Sequence, residues 1–138
     1  GLSYDMRKLG HEAYGELDFE PIISNDGDSY ARCAVRINEL YQSIDLIRQA
    51  FAKMPAGDIA VDVKGMPNGE YFNRVEQPRG EAVYYVKADG TKFLNRFRLR
   101  TPTFANLAGL CEMLKGAEYA DVGILALTID PCISCTER

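Results

Sequence analysis

The strongest constraint on the fold is a long stretch of helical periodicity in the first half of the chain. Apolar residues recur there at spacings of three and four, the pattern of one face of an amphipathic helix: Tyr30, Ala34, Ile37, Tyr41, Ile44, Ile47 and Phe51. Asp28 or Ser29 is available as an N-cap, and Met54-Pro55-Ala56-Gly57 ends the pattern. The sequence therefore predicts a helix from about Ser29 to Lys53, with its polar side in solvent or against another subunit.

The segment from Gly69 to Thr103 changes to a strand pattern. Residues 81–87 and 92–100 are rich in β-branched and aromatic side chains, and Ala88-Asp89-Gly90-Thr91 lies between them. An Asp-Gly turn flanked by such runs predicts a β-hairpin. Residues 70–75 form a candidate third strand, so we predict a small antiparallel sheet.

Short helices and an arm account for the remaining residues. Thr103 is predicted to cap a helix with an apolar face from Phe104 to Leu114, ended by Gly116. Residues 120–128 are apolar on nearly all sides and fit a buried helix or a buried strand, with the flanking residues favouring a helix. The first 24 residues show no clear period and predict a loop-like arm. The predicted fold class is thus α/β (α+β), a long amphipathic helix packed with a small antiparallel sheet and C-terminal helices.

Length and composition indicate one folded domain over residues 1–138. An apolar share of 46% and a charged share of 26% are typical of soluble globular chains, and this length has room for one core. No apolar run approaches the roughly 18 residues that a membrane span needs, and the N-terminus lacks the layout of a secretion signal. Because the chain does not begin with Met, we expect a fragment or a processed product.

The charge balance argues against a nucleic-acid partner. A net charge of −4 and a pI near 5.0 oppose nonspecific binding to phosphates. The basic cluster consists of Lys92, Arg96, Arg98 and Arg100, and a strand would place its three arginines on one face. We interpret this cluster as a solvated face or as a docking surface within a complex.

Four cysteines in a chain without an export signal predict thiols or metal ligands rather than a disulfide framework. Cys33 and Cys111 fall at apolar positions of helical patterns and are predicted to be small core residues. Cys132-Ile133-Ser134-Cys135 places two thiols on one tight turn, close enough to bind one metal ion together. His11, the only histidine, is predicted to lie at the surface or in an interface rather than to bind metal.

Three interpretations of this cysteine pair remain open from the residues alone. A zinc site or an iron-sulfur cluster within the chain needs a second pair, and the sequence contains no second Cys-x-x-Cys. A thioredoxin-like redox pair normally precedes a helix that continues, whereas only Thr136-Glu137-Arg138 follow here. In the third interpretation, the pair completes a metal site whose other thiolates lie outside this sequence.

Longer motifs add a family resemblance. Asp130-Pro131-Cys132-Ile133-Ser134-Cys135, followed by Thr136-Glu137-Arg138, resembles the second cysteine motif of the large subunit of nickel-iron hydrogenases, in their energy-converting, membrane-associated branch. Other motifs are similar to the related quinone-side, 49-kDa-type subunit of respiratory complex I: Asp5-Met6-Arg7, Gly27-Asp28, Pro78-Arg79-Gly80-Glu81, Arg100-Thr101-Pro102-Thr103-Phe104 and Met113-Leu114-Lys115-Gly116. The complex I subunit lacks the cysteine pair, so the resemblance favours the hydrogenase branch.

The resemblance implies a role for each matched residue. Cys132 would be a terminal ligand of nickel, and Cys135 would bridge nickel to an iron that carries cyanide and carbon monoxide. Arg79 matches the arginine above the open metal face, where a guanidinium can donate to cyanide and help to polarise hydrogen. Pro102 and Thr103 match the segment that lines the diatomic ligands, with the Thr103 hydroxyl as a cyanide donor.

Three of these residues also have ordinary structural interpretations. Arg79 could instead form a salt bridge with Glu76 or Glu81. The hydroxyl of Thr103 could serve as a helix N-cap, alone or together with the first role. Asp130 could cap or orient the cysteine turn rather than act on protons.

The resemblance implies a larger enzyme that interconverts H2 with protons and electrons. Its partners would be the N-terminal part of the same subunit, an iron-sulfur small subunit and membrane subunits, at the cytoplasmic side of the cell membrane. The family's first Cys-x-x-Cys motif and the glutamate of its proton path are absent from this sequence, so we expect this chain alone to be inactive. Arg138 stands where many members end with histidine, which fits C-terminal processing or a chain cut at that point. The alternatives are a complex I-like NADH/quinone oxidoreductase scaffold subunit without metal and a small Cys-x-x-Cys zinc or redox module.

Overall fold

The computed structural model describes residues 2–137, over which four α-helices accompany a three-stranded antiparallel sheet. The elements are α1 Ser29–Lys53, β1 Asn68–Gln77, β2 Gly80–Asp89, β3 Leu94–Arg100, α2 Pro102–Met113, α3 Val122–Thr128 and α4 Ile133–Thr136. The predicted mixture of helices with a small antiparallel sheet is confirmed. The expectation about Arg138 falls outside the described residues.

Helix α1 has the predicted bounds, but its apolar face is uncovered. The Asp28 carboxylate caps its start by accepting a hydrogen bond from the Ala31 amide at 2.7 Å. Six large apolar side chains on one side, here called the apolar stripe, are exposed: Ile37, Leu40, Tyr41, Ile44, Ile47 and Phe51. Only Ala31 and Leu46 of this helix are buried. The predicted long amphipathic helix is thus present, and the described residues leave its apolar face exposed.

The N-terminal arm, residues 2–24, is more ordered than a loop. It forms two short 3-10 helices, Met6–Leu9 and Glu12–Glu16, too short to produce a readable period. Met6 is buried, and its amide donates to a carboxylate oxygen of Glu76 on β1 at 3.0 Å. On the other side of the arm, the Gln42 side chain of α1 donates to the Glu20 carbonyl at 2.6 Å. The arm therefore connects helix α1 to the sheet.

The sheet has the order β1-β2-β3 and includes the predicted third strand. Strand β1 pairs with β2 from Asn68 opposite Asp89 to Gln77 opposite Gly80, so Pro78 and Arg79 form the connecting turn. At the next turn, Gly90 has φ +84° and the Asp89 carboxylate accepts from the Thr91 amide at 3.1 Å. This is the Asp-Gly turn that the sequence predicts.

The C-terminal helices differ from the prediction in two details. Helix α2 begins at Pro102, whose fixed φ and missing N–H suit a first helical position, so Thr101 is the N-cap. The predicted capping role of Thr103 is therefore wrong. Residues 122–128 form a helix as favoured, but Ile124 and Leu127 are exposed, so the expected burial is wrong.

Individual surface residues also test the sequence interpretation. Cys33 and Cys111 are exposed rather than buried in the core, because the described part of the chain leaves their helix faces uncovered. His11 is exposed, as predicted. Arg96 and Arg98 are exposed on β3, as expected for a solvated face. None of the helices in residues 2–137 combines the length and the hydropathy required to cross a bilayer.

Candidate functional site

The cysteine turn, residues 132–135, follows a sharp change of direction at the end of α3. Asp130 takes a positive φ of +53°, and its amide donates to the Leu127 carbonyl at 3.0 Å. The Cys132 carbonyl then accepts hydrogen bonds from the amides of Cys135 and Thr136, each at 3.1 Å. This single helical turn brings the two thiols together while both remain free and partly exposed.

Two buried threonines at the start of α2 hold the cysteine turn. The Thr103 hydroxyl accepts a hydrogen bond from the Cys132 amide at 3.2 Å, and the Thr101 hydroxyl donates to the Cys135 carbonyl. Thr103 is 0% exposed and Thr101 is 3% exposed. The segment that the sequence associates with the cysteine pair is thus in direct contact with it.

The groups around the two thiols shift their pKa values in opposite directions. The Ser134 hydroxyl lies 3.2 Å from the Cys132 sulfur. Hydrogen bonds from Ser134 and Cys135, helped by the positive charge of Arg79, lower the pKa of Cys132 to about 7. The pKa of Cys135 is raised, because Cys135 shares its proton with Cys132 and is partly desolvated. The thiolate of the pair therefore forms first on Cys132, and this ionisation takes place around neutral pH.

Arg79 reaches the site from the turn between β1 and β2. Its Nε lies 3.4 Å from a carboxylate oxygen of Asp130, the residue two positions before Cys132. The alternative partners Glu76 and Glu81 are not used: Glu81 pairs with Arg74 at 3.3 Å and with Arg100 at 2.6 Å. Asp130 therefore orients Arg79 rather than simply capping the turn.

Two further contacts fix the position of the Arg79 backbone. The Asn106 side chain in α2 donates to the Arg79 carbonyl at 3.3 Å. Gly80, at φ +127°, approaches Pro102 so closely that an added Cβ would lie 3.2 Å from the proline Cβ. The structure thus gathers Arg79, Pro102, Thr103, Cys132 and Cys135 around the start of α2.

Sequence reasoning missed several residues of this region. Thr101 and Asn106 contact the site through backbone groups of Cys135 and Arg79; Thr101 lies within one of the matched motifs without an assigned role, and Asn106 lies outside every motif. Glu76 is half-buried, and burial raises its pKa although it accepts the Met6 amide. Glu76 and Asp130 both line an open cavity of about 800 Å³ beside the N-terminal arm. In the sequence, Glu76 stands out only as a candidate salt-bridge partner of Arg79, three residues further along the chain.

The cysteine turn offers sulfur donors of the kind that a nickel-iron centre uses. Soft thiolates are suitable ligands for such a centre, and the lowered pKa of Cys132, about 7, makes this form accessible at neutral pH. The Arg79 Nε atom is buried and lies 3.4 Å from the Asp130 carboxylate without a hydrogen bond of good geometry, so it keeps the capacity to donate. Among residues 2–137, no three Cys, His, Asp or Glu residues cluster as a complete metal site. The residues fit one thiolate side of the centre, and a complete zinc site is not formed by them.

Comparisons with known proteins identify a family and several relatives. A family model described as respiratory-chain NADH dehydrogenase, 49 kDa subunit, matches residues 1–67 and 61–138. The carbon monoxide-induced hydrogenase of Rhodospirillum rubrum is 43% identical over 140 residues, which are 100% of this chain and 39% of that protein. Membrane-bound hydrogenase subunit alpha of Pyrococcus furiosus is 39% identical over 158 residues, covering 100% of this chain and 36% of that protein.

Other relatives belong to quinone-linked and respiratory complexes. An NADH-quinone oxidoreductase subunit from Desulfotalea psychrophila is 36% identical over 143 residues, 100% of this chain and 38% of that protein. A solved structure of the membrane-bound sulfane sulfur reductase, an archaeal respiratory membrane complex, matches with a TM-score of 0.88 and 34% identity. That match covers 100% of this chain and 40% of the other.

The relatives from Rhodospirillum, Pyrococcus and Desulfotalea belong to one class, redox enzymes and their subunits, either hydrogenases or NADH-quinone oxidoreductases. Within that class, the chain belongs to the family of the 49 kDa subunit of respiratory-chain NADH dehydrogenase. It spans 39% of the Rhodospirillum relative and 36% of the Pyrococcus relative. The shared fold and the shared family thus correspond to one part of the longer subunits found in these relatives.

Proposed function

We propose that this chain is the C-terminal part of the large subunit of an energy-converting nickel-iron hydrogenase, with residues 1–138 forming a single domain of it. The observation that carries the proposal is the cysteine turn, in which Cys132 and Cys135 lie together within the field of Arg79. Identities of 43% and 39% to two proteins named as hydrogenases support it. The parent enzyme would interconvert H2 with protons and electrons.

The residues of the cysteine turn would hold one side of the metal centre. Cys132 and Cys135 would hold the nickel-iron group through their thiolates. When bound, the nickel-iron group would supply the coordination position at which H2 is cleaved. The remaining ligands would come from the N-terminal part of the subunit, so this chain alone would be inactive.

The protein groups around the thiols would manage charge and protons. The lowered pKa of Cys132, about 7 in the metal-free chain, makes its thiolate accessible near neutral pH for binding the group. Arg79, oriented by Asp130, would donate N–H groups to cyanide and to the reacting face. Pro102 would line the diatomic ligands, and Thr103 still holds a hydroxyl proton to donate while it accepts from Cys132.

The exposed apolar stripe of α1 supports the proposal that the missing part of the subunit covers this domain. Exposed fractions of 66% for Leu40 and 70% for Phe51 are high for side chains of this kind. A contiguous apolar surface of this kind marks an interface in soluble proteins. The relatives extend well beyond the matched region, and their additional chain would provide the covering helices.

The further partners would be an iron-sulfur small subunit that takes the electrons and the membrane subunits of the complex. A peripheral position at the cytoplasmic side of the cell membrane agrees with relatives named as parts of membrane-bound complexes. We propose no nucleic-acid partner, in line with the net charge of −4.

Elemental analysis of the purified full-length complex tests the proposal. We expect nickel together with iron in excess of the iron-sulfur clusters, and loss of the nickel in Cys132→Ser and Cys135→Ser. Cys111→Ser serves as a matched control, since this exposed cysteine lies outside the cysteine turn. Zinc as the sole metal, or activity that survives both substitutions in the turn, contradicts the proposal.

The second candidate is a complex I-like NADH/quinone oxidoreductase scaffold subunit without metal. The family model and the 36% identity to an NADH-quinone oxidoreductase subunit favour it specifically. It predicts quinone reductase activity that persists in Cys132→Ser and Cys135→Ser. The same pair of variants therefore separates the two functions.

A further inference from the structure

The cysteine turn is attached to the start of helix α2 at both of its ends. At the first end, the Cys132 amide donates to the Thr103 hydroxyl at 3.2 Å. At the last end, the Thr101 hydroxyl donates to the Cys135 carbonyl. Both threonines thus meet backbone atoms of the turn, and through these contacts they act on the direction of the two cysteine side chains.

The last end of this turn has a particular need for an external donor. Helix α4 consists of the four residues Ile133–Thr136, and the final carbonyls of any helix have no partner in a following turn. The Cys132 carbonyl receives the amides of Cys135 and Thr136 and the Thr136 hydroxyl, whereas the Cys135 carbonyl lies beyond this pattern. Thr101 supplies the donor that the short helix cannot provide.

Thr101 is also well placed to act as a rigid anchor. It is 3% exposed, whereas Cys135 is partly exposed, so the hydroxyl reaches the turn from a buried position. Pro102 restricts the backbone directly after it, and Pro102 is itself packed against Gly80. The direction of the Cys135 carbonyl, and with it the direction of the Cys135 side chain, is thereby coupled to the start of α2.

We propose that Thr101 is a positioning residue for the thiol pair, which keeps the Cys135 sulfur beside the Cys132 sulfur by holding the Cys135 carbonyl. Its importance for metal binding rests on the function proposed above, but the geometric effect on the two thiols does not. Without the donor, the end of the turn frays and the sulfurs spend less time in contact.

The effective concentration of one thiol toward the other measures this effect. Metal-free full-length subunit is equilibrated in glutathione buffers, where two protein thiols and one glutathione disulfide exchange to one protein disulfide and two glutathione thiols. Peptide mass spectrometry then quantifies the Cys132–Cys135 disulfide. We expect Thr101→Val to lower the effective concentration at least tenfold, and Thr101→Ser to stay within about twofold of the wild type.

Thr128→Val is the matched control. Thr128 is 5% exposed, donates to the Leu125 carbonyl at 2.8 Å and accepts from Arg32 at 3.0 Å, so its loss removes a comparable buried hydroxyl. A purely structural role of Thr101 would lower the melting temperature as this control does and leave the effective concentration unchanged. That result overturns the proposal. If Thr101→Val does not fold, Thr101→Ala must show the same fall, and an unchanged value there is equally contradictory.

Nickel content of the wild-type complex is measured in parallel. A wild type without nickel, combined with a fall in Thr101→Val, removes the proposed hydrogenase function and leaves the positioning role intact. If the wild type contains nickel and Thr101→Val leaves the effective concentration of the thiols unchanged, the positioning role is removed and the proposed hydrogenase function remains. The two inferences can therefore fail independently.

Discussion

At the scale of single residues, the site depends on how one proton is divided between two thiols. Cys132 receives hydrogen bonds from Ser134 and Cys135 and has its pKa lowered to about 7. Cys135 keeps the shared proton, and its pKa is raised. Cys132 is therefore the thiol that ionises first, and the thiolate is the form that binds a metal ion.

The lowered pKa of Cys132 predicts a pH profile for alkylation of the metal-free full-length subunit. Only the thiolate reacts with iodoacetamide, so the rate at Cys132 should rise with pH and reach half of its maximum near pH 7. Ser134→Ala removes the principal donor, and the midpoint should move up by about one pH unit. Peptide mass spectrometry measures the rates. The profile of exposed Cys33 should not respond to this substitution, and an unmoved Cys132 midpoint excludes Ser134 as the cause.

Arg79 provides a second prediction at this scale. Arg79→Lys in the parent enzyme keeps the positive charge. It loses the planar guanidinium group, which can contact Asp130 and a metal-bound ligand at the same time. Hydrogen oxidation, followed by dye reduction, should fall at least about 100-fold while nickel content persists. Arg74→Lys is the matched control, because Arg74 pairs with Glu81 on the same hairpin. Full turnover in Arg79→Lys removes this residue from the site.

At the scale of elements, the start of α2 connects the two halves of the site. Pro102 packs against Gly80 of the β-hairpin, and Asn106 holds the Arg79 carbonyl. Thr101 and Thr103 hold the two ends of the cysteine turn. The arginine and the thiols come from distant segments of the sequence, so a shared anchor is the means by which their mutual geometry is set.

The contact between Gly80 and Pro102 predicts a difference between two glycine substitutions. Gly80→Ala adds a Cβ at 3.2 Å from the Pro102 Cβ, at a φ of +127°. Gly90→Ala carries only the backbone strain, since its φ is +84° and nothing lies within 4 Å. Thermal unfolding of the full-length subunit should show a loss of about 1 kcal/mol for Gly90→Ala and at least about 1 kcal/mol more for Gly80→Ala. Equal losses would mean that Pro102 moves away at no cost.

At the scale of the whole molecule, helix α1 presents two opposite faces to two different environments. One side meets the N-terminal arm through polar groups: Gln49 donates to the Asp18 carbonyl at 2.8 Å, and Gln42 donates to the Glu20 carbonyl at 2.6 Å. The apolar stripe lies on the other side and is exposed. The described residues thus satisfy the polar side of the helix and leave its apolar side exposed.

This arrangement predicts a strong effect of charge in the apolar stripe. Ile44 is 47% exposed in this chain but would be covered in the full-length subunit. Ile44→Asp should therefore destabilise the full-length subunit by about 3 kcal/mol, as seen in its melting temperature, because a carboxylate would be buried against apolar side chains. Ser43→Asp, at the neighbouring exposed position, should change stability by less than about 0.5 kcal/mol. Equal responses would show that the stripe remains in water.

Local patterns determined much of this protein. The period of residues 30–51, the Asp28 cap and the Met54-Pro55 stop defined α1, and the Asp89-Gly90 turn defined the hairpin, because these signals act within a few residues. The spacing of Cys132 and Cys135 likewise determined that two thiols share one turn. Motif resemblance, rather than period, connected these thiols with Arg79, Pro102 and Thr103.

Only the tertiary structure decided which groups surround the thiols and which faces are covered. Asp130 as the partner of Arg79, and Thr101 as the donor to Cys135, depend on contacts between distant segments. The burial of Cys33 and Cys111 was predicted wrongly for the same reason, since an apolar helical position is buried only if another element packs over it. Sequence period specifies the direction of a side chain on its own element, whereas its neighbours are set by how the elements pack together.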